Sequence, residues 1–303
     1  MVWCVMTLSK KKIIIFVVSI LICLVIIAPI TAYFIANANA KSKVASFTKS
    51  IQGICSINYG DVSYNILNRH LKISDILISC YDEKAFFIKE TEFNHIVSGT
   101  PVPLNVQADL KGGTAYTAAK VFKQYGEYAS KLGYNNVNFQ GRISYTLGKV
   151  SKEFKIVTFN INADNIGFFQ GQMKVPNVYD NDLRVIYNNI LNNSPASFAL
   201  DFSDKGLKNT VISKFVQISE FDNNTINEKI KNAFYKRAVD SDNRTKENYT
   251  QLEKFLISSN TISINLLENS NKSILETINS FDITGYRKML NSIKNAEVEL
   301  VTK

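Results

Sequence analysis

Between Asn136 and Val175, apolar and polar residues alternate with a period of two in three successive segments. Val137, Phe139, Gly141, Ile143, Tyr145 and Leu147 alternate with Asn136, Asn138, Gln140, Arg142, Ser144 and Thr146. Beyond a turn near Gly148 to Lys152, Val157, Phe159, Ile161 and Ala163 alternate with Thr158, Asn160 and Asn162. Beyond Asn165 to Gly167, Phe169, Gly171, Met173 and Val175 alternate with Gln170, Gln172 and Lys174. Side chains of a strand point to opposite faces in turn, so this pattern predicts a meander with one apolar and one polar face. The short turns leave no room for parallel crossovers, so the pairing is antiparallel.

The same reading extends to both sides. Residues 53–66 read as a strand whose phase changes at Gly60, where a glycine suggests a bulge. Leu71 to Cys80 and Ala85 to Val97 read as strands, and Leu104 to Leu110 as a short strand closed by a turn at Gly112 and Gly113. Ala118, Val121, Phe122, Tyr125, Tyr128, Ala129 and Leu132 recur at helical spacing, predicting a helix from Ala115 to Leu132 stopped by Gly133. Asp182 to Leu191 reads as a helix, and Ser197 to Phe202 with Thr210 to Ser219 as a strand pair. Thr225 to Ile257 reads as helical with a break near Asp240 to Arg244, and Thr261 to Leu266 as a strand. Two short helices, at Ser273 to Ser280 and Tyr286 to Ile293, precede a last strand over Glu297 to Val301. The predicted class is α+β: a long, mostly antiparallel, curved sheet with helices packed on one face, preceded by a transmembrane helix.

That transmembrane helix rests on a different pattern. Ile13 to Ala36 contains no charged residue and is preceded by Lys10, Lys11 and Lys12. At about 1.5 Å per residue it spans a hydrocarbon core roughly 30 Å thick. The segment exceeds the apolar core of a cleaved signal peptide, so an uncleaved signal anchor is expected, although Ala36, Ala38 and Ala40 supply small-residue cleavage patterns. The expected organisation is a cytoplasmic tail over 1–12, an anchor over 13–36, a juxtamembrane linker over 37–52 and one extracytoplasmic domain over 53–303. Lysines flank the anchor on both sides, but the leading tail is short and its lysines contiguous, which places the N-terminus in the cytoplasm. The body then lies in the periplasm of a bacterial inner membrane.

Charge and cysteine content refine this organisation. The formal net charge is +9, and two thirds of it comes from six lysines lying before the first acidic residue, Asp61. The basicity therefore flanks the membrane, and no basic cluster with interleaved aromatics points to nucleic acid. Of four cysteines, only Cys55 and Cys80 belong to the body. An antiparallel pairing about a turn near Asn68 and Arg69 brings Cys55 opposite the region of Cys80 to Asp82. A disulfide and two buried thiols are both compatible with that placement.

Candidate chemistry is sparse. His70 and His95 have no H-E-x-x-H or C-x-x-C companion, and no G-x-S-x-G motif is present. Asp61, Asp75 and Asp82 lie near the first hairpin but lack the ligand spacing of a cation loop. No catalytic residue, metal or cofactor is expected. The apolar sheet face allows two outcomes: a closed core under the helices, or a groove able to hold an acyl chain. Tyr59, Tyr64, Phe139, Tyr145, Phe159 and Phe169 are the candidate groove residues.

A helix ending in Leu132-Gly133-Tyr134 leads to an alternating strand with Tyr145 near its end, a hairpin, and a further strand after Asn165-Ile166-Gly167. This order resembles the YdgA-like bacterial proteins of uncharacterised function. The opening hairpin, with Val62, Tyr64, Ile66, Leu71, Ile73, Asp75 and Ile76, is more loosely similar to the start of AsmA-like envelope proteins. Leu252-Glu253-Lys254-Phe255-Leu256 before the Thr261–Leu266 strand resembles the late part of both. The resemblance implies an inner-membrane anchor, a periplasmic body and an envelope role, with lipid handling on the AsmA-like side. The expectation is a non-enzymatic, single-pass envelope protein that handles lipid or scaffolds other components. The alternatives are a tethered periplasmic protein-binding module, or an envelope enzyme without a recognisable motif.

Overall fold

Eleven strands form one antiparallel sheet in the computed structural model, which describes residues 55–65, 70–97, 105–122, 124–147, 154–175, 197–266 and 297–303. The strands are β1 (Cys55–Asn58), β2 (Val62–Asn65), β3 (His70–Cys80), β4 (Glu83–Val97), β5 (Asn105–Tyr116) and β6 (Asn136–Leu147). They continue as β7 (Phe154–Ala163), β8 (Gly167–Val175), β9 (Ser197–Asp204), β10 (Thr261–Leu266) and β11 (Val298–Thr302). Each strand from β3 onward lies beside its sequence neighbours, while β1 and β2 share the outer side of β3. The helices are α1 (Gln124–Lys131), α2 (Leu207–Ser219), α3 (Asn223–Val239) and α4 (Asn243–Ile257). The predicted segments at 13–36, 182–191, 273–280 and 286–293 lie outside the described residues. Among the described residues, no helix is long and apolar enough to cross a membrane.

Register makes the two faces continuous across strands. Directly paired positions run from Tyr64 through Leu71, Phe93, Ala108, Ile143, Phe159, Gly171, Leu200 and Ile264 to Leu300. The neighbouring row, on the opposite face, runs from Ser63 through Lys72, Glu92, Asp109, Arg142, Asn160, Gln170 and Asp201 to Ser263. The first row is apolar along its length and the second polar, so the alternation read along single strands is also a sorting across the sheet. The inner face forms a single hydrophobic cluster.

Cover on that face comes from both ends of the sheet. Phe122, in a short 3₁₀ turn at Lys120–Phe122, meets Phe86 edge-on at 5.4 Å between ring centres. At the other end, α4 packs on β10 and β11, α3 on α4, and α2 on α3. Phe255 of α4 reaches Phe202 of β9 at 5.9 Å, and Tyr249 stands 6.1 Å from Phe234 of α3. Asp222 and Asp242 cap α3 and α4 in the same way, each accepting a bond from the backbone N–H three residues on, at Thr225 and Thr245. A carboxylate there satisfies one of the donors that a helix start leaves unpaired.

Several expectations need correction. The stretch from Thr210 to Ser219 is helical, not a strand: Val211 with Phe215, and Ile212 with Val216, sit one turn apart, a period that the β-branched residues obscure. The predicted helix from Ala115 shrinks to the eight residues of α1, because β5 continues to Tyr116. Gly133 does end α1, with φ +91 and its N–H on the Ser130 carbonyl.

Gly112 and Gly113 are not a turn either; β5 runs through them. They end a line of phase slips that crosses four strand positions. Buried residues switch phase between Ile73 and Ile76 in β3, between Ile88 and Thr91 in β4, and between Leu110 and Gly113 in β5. Asp75 and Gly112 carry the positive φ values that make this possible, +52 and +61. The phase change at Gly60 is matched by β3, so Asn58 opposite Leu77 and Val62 opposite Ile73 keep one register. The slip becomes a true bulge only where β5 meets β6, which does not follow it.

Candidate functional site

Of the groove residues predicted from sequence, Phe139, Phe159 and Phe169 sit packed on the inner face. Phe139, Phe159 and Phe169 are 3%, 2% and 2% exposed. The first two rings each have a seat in the strand beside them. A Cβ on Gly113 would come within 2.4 Å of the Phe139 ring, and one on Gly171 within 2.3 Å of the Phe159 ring. Gly113 is the direct partner of Phe139, and Gly171 that of Phe159. Phe169 stacks on Phe202 at 4.8 Å, whose ring in turn covers Gly167. Rings laid over cross-strand glycines replace the side-chain contacts that glycine lacks. Tyr64 is partly buried against the same cluster, and Tyr59, also partly buried, in addition lines an open depression with Leu77 and Phe87. Tyr145 stands opposite Val106 in register, and its side chain lies outside the described residues. The structure therefore places Phe139, Phe159 and Phe169 on one face, as core and not as the wall of an open groove.

Cys55 and Cys80 are direct partners across β1 and β3, with Cα atoms 4.0 Å apart and a disulfide between them. Among the described residues no three His, Cys, Asp or Glu side chains converge as a metal site would require.

The outer face carries organised charge. Glu90 takes ion pairs from Lys72 and Lys111, and Lys111 also reaches Glu92 at 2.7 Å. The Lys72 bond first, then that of Lys111, holds the Glu90 carboxyl far below its usual range, at about 2. The same bonds, from Glu92 and then Glu90, raise Lys111. Asp109 is bonded by Arg142 and by Asn94 at 3.1 Å, and Arg142 is raised by that carboxylate. Further along, Asp201 accepts from Ser263 and from Lys303, and these bonds outweigh the opposing effect of its burial to leave the carboxyl lowered.

One part of this face departs from polarity. Leu77 and Phe87 are partners and lie between Asn58 and Thr114 in a single transverse row. With Tyr116 they floor an open depression of about 480 Å³ whose rim includes Gly60, Asp75 and Lys84. Sequence reasoning passed over it, yet a signal exists: Ile76-Leu77-Ile78 and Phe86-Phe87-Ile88 are unbroken apolar runs in strands that otherwise alternate. One residue of each run must face outward.

A second cluster joins two segments singled out in the sequence. Tyr134 donates its hydroxyl to the Asn165 carbonyl at 2.8 Å and lies 3.1 Å from the Thr210 hydroxyl. Leu132-Gly133-Tyr134 and Asn165-Ile166-Gly167 thus meet at one corner of the sheet. Burial raises the Tyr134 hydroxyl above its ordinary value. Nearby, Lys208 donates to the Phe255 carbonyl at 3.1 Å and to the Ser259 carbonyl, placing a cation at the C-terminus of α4. These contacts are structural ties, with no arrangement of nucleophile and base. No protein-family model matches the chain, and no curated protein sequence matches it.

Proposed function

We propose that this chain is a single-pass inner-membrane protein whose periplasmic α+β body is a non-enzymatic binding module of the cell envelope. The apolar run over 13–36 with its flanking lysines supports the tether. The pairing of Cys55 with Cys80 supports an oxidising compartment for the body. The observation that carries the binding role is the distribution of apolar surface. Phe139 and Phe159 are sealed over Gly113 and Gly171, and Phe169 is packed against Phe202, whereas Leu77, Phe87 and Tyr116 line an open depression on a charged face. That arrangement favours a module working through its outer face over a carrier holding an acyl chain along its inner face. The resemblance to YdgA-like proteins in the 132–134 and 165–167 segments agrees with an envelope role.

The test uses the full chain in bacterial membranes. A C-terminal tag should stay with the membrane through alkaline extraction and be removed by protease added to spheroplasts. A protected tag would overturn the topology. For the binding role, a photo-crosslinking residue at Phe87 should give discrete adducts in living cells while one at Gln170 does not. Equal labelling from both sites would overturn it.

A further inference from the structure

Charges on the outer face are for the most part matched within the protein. Lys72, Lys111 and Arg142 each have a carboxylate partner. The side chains of Asp75 and Lys84 do not; among the described residues neither side chain has an ion-pair or hydrogen-bond partner, yet both line the depression floored by Leu77, Phe87 and Tyr116. Asp75 is held in an unusual way. It takes φ +52 inside a strand, and a Cβ on Gly60 would lie 3.0 Å from its Oδ2. The left-handed turn and the bare glycine together leave space for a carboxylate at the rim.

Spacing defines what could satisfy both charges. Lys84 stands opposite Ser79, four residues along β3 from Asp75. At about 3.3 Å per residue the two backbone positions are roughly 13 Å apart, with the Leu77–Phe87 pair between them. A free amino acid is too short to bridge that distance. An extended peptide of about three or four residues matches it, allowing for the reach of the lysine. A volume of about 480 Å³ suits a ligand of this size.

We propose that this depression binds a short free peptide of apolar residues, its N-terminal ammonium at Asp75, its C-terminal carboxylate at Lys84 and its side chains on Leu77, Phe87 and Tyr116. The proposal rests on reading the body as a binding module and names the ligand class. Opposite charges at the two ends fix the direction of the peptide, and the apolar floor rewards side chains that have little to lose in leaving water.

The experiment is titration of the full chain in detergent micelles with Leu-Phe-Leu, followed by calorimetry. Three comparison ligands are its N-acetylated form, its C-terminal amide and free phenylalanine. Saturable binding of the free peptide is expected, weakened roughly three- to tenfold by blocking either end. Asp75→Asn should remove the sensitivity to acetylation, and Lys84→Met the sensitivity to amidation. Asparagine tolerates the left-handed conformation at 75, so that variant should retain the parent Tm. Absence of saturation up to millimolar peptide, equal binding of blocked and free peptides, or phenylalanine binding as well as the peptide would each overturn the proposal. Peptide titration reads only the depression and protease access reads only the tether, so each can fail while the other stands.

Discussion

Asn248 closes the last edge of the sheet by bonding Leu300. Its side-chain oxygen accepts from the Leu300 N–H at 2.8 Å, and its amide donates to the Val298 carbonyl at 2.9 Å. The residue is 1% exposed, on the face of α4 that meets β11. One side chain thereby imitates the backbone of a twelfth strand. Gln251, one turn on, accepts from the Thr302 N–H at 2.9 Å. An open edge presents unpaired backbone groups to other chains, and this helix covers such groups on β11.

Asn248→Ala should leave the Val298 carbonyl and Leu300 N–H without partners, at a cost of about 2–4 kcal/mol for two buried groups. Asn248→Asp keeps the acceptor but sets a carboxylate against the Val298 carbonyl, and should also destabilise. Urea unfolding of both variants checks this. Unchanged midpoints would mean that the edge groups find other partners. Amide exchange at Leu300 separates the two contributions, because only the alanine variant should expose that N–H.

The ring seats make a second prediction. Gly171→Ala places a methyl where the Phe159 ring lies, and should destabilise by roughly 1–3 kcal/mol through overpacking. Phe159→Ala empties the seat and should cost about 3–5 kcal/mol. Combining Gly171→Ala with Phe159→Leu should cost less than the sum of the single changes, since residues in direct contact couple. Strict additivity in a denaturation cycle would refute the seating.

These two features differ in how far the sequence discloses them. Alternation from Val137 to Met173 announces the meander because strand side chains face opposite sides whatever the tertiary context. It cannot say that Phe159 meets Gly171, since pairing depends on register, and one residue of slip changes every partner. Asn248 lies at a core position of an amphipathic helix, with Tyr249, Leu252 and Phe255. A buried amide at such a position signals a partner without naming it. The contact of Tyr134 with Asn165 spans 31 residues, although both segments stood out locally. In the sequence Asp75 is one of three dispersed carboxylates, because nothing local marks its positive φ. The depression depends on that conformation and on Leu77 meeting Phe87. For the same reason Gly60 disclosed a slip in its own strand but not the compensating slip in the next.

Acid should destabilise the body. The Glu90 carboxyl is held at about 2 by Lys72 and Lys111, against an ordinary value of 4.5. Asp222 and Asp242 are lowered by the hydrogen bonds that cap α3 and α4. A carboxyl with a lowered folded-state pKa stabilises fully above its unfolded value and loses that contribution as pH falls through the folded one. Stability should therefore decline from about pH 4.5 towards pH 2. Glu90→Gln should shallow the slope in that interval, while added salt should weaken the Glu90 contribution by screening an exposed network. Urea midpoints at pH 7, 4 and 2.5 give the comparison. An identical slope in the Gln variant would show that Glu90 does not take part.

The disulfide ties the first described strand to β3 across a sequence separation of 25 residues. Closing a loop of that size stabilises by roughly 3 kcal/mol in the chain-entropy account. Cys80→Ser should lower the unfolding midpoint accordingly, and reduction of the parent should reproduce the same loss. Cys55→Ser opens the same loop but should cost somewhat less, since Cys80 is almost fully buried and its replacement also buries a hydroxyl. Thiol labelling of protein taken directly from membranes should find Cys4 and Cys23 reactive after denaturation, and Cys55 and Cys80 only after reduction. Four thiols reactive without reductant would place the body in a reducing compartment and reverse the orientation proposed for the anchor.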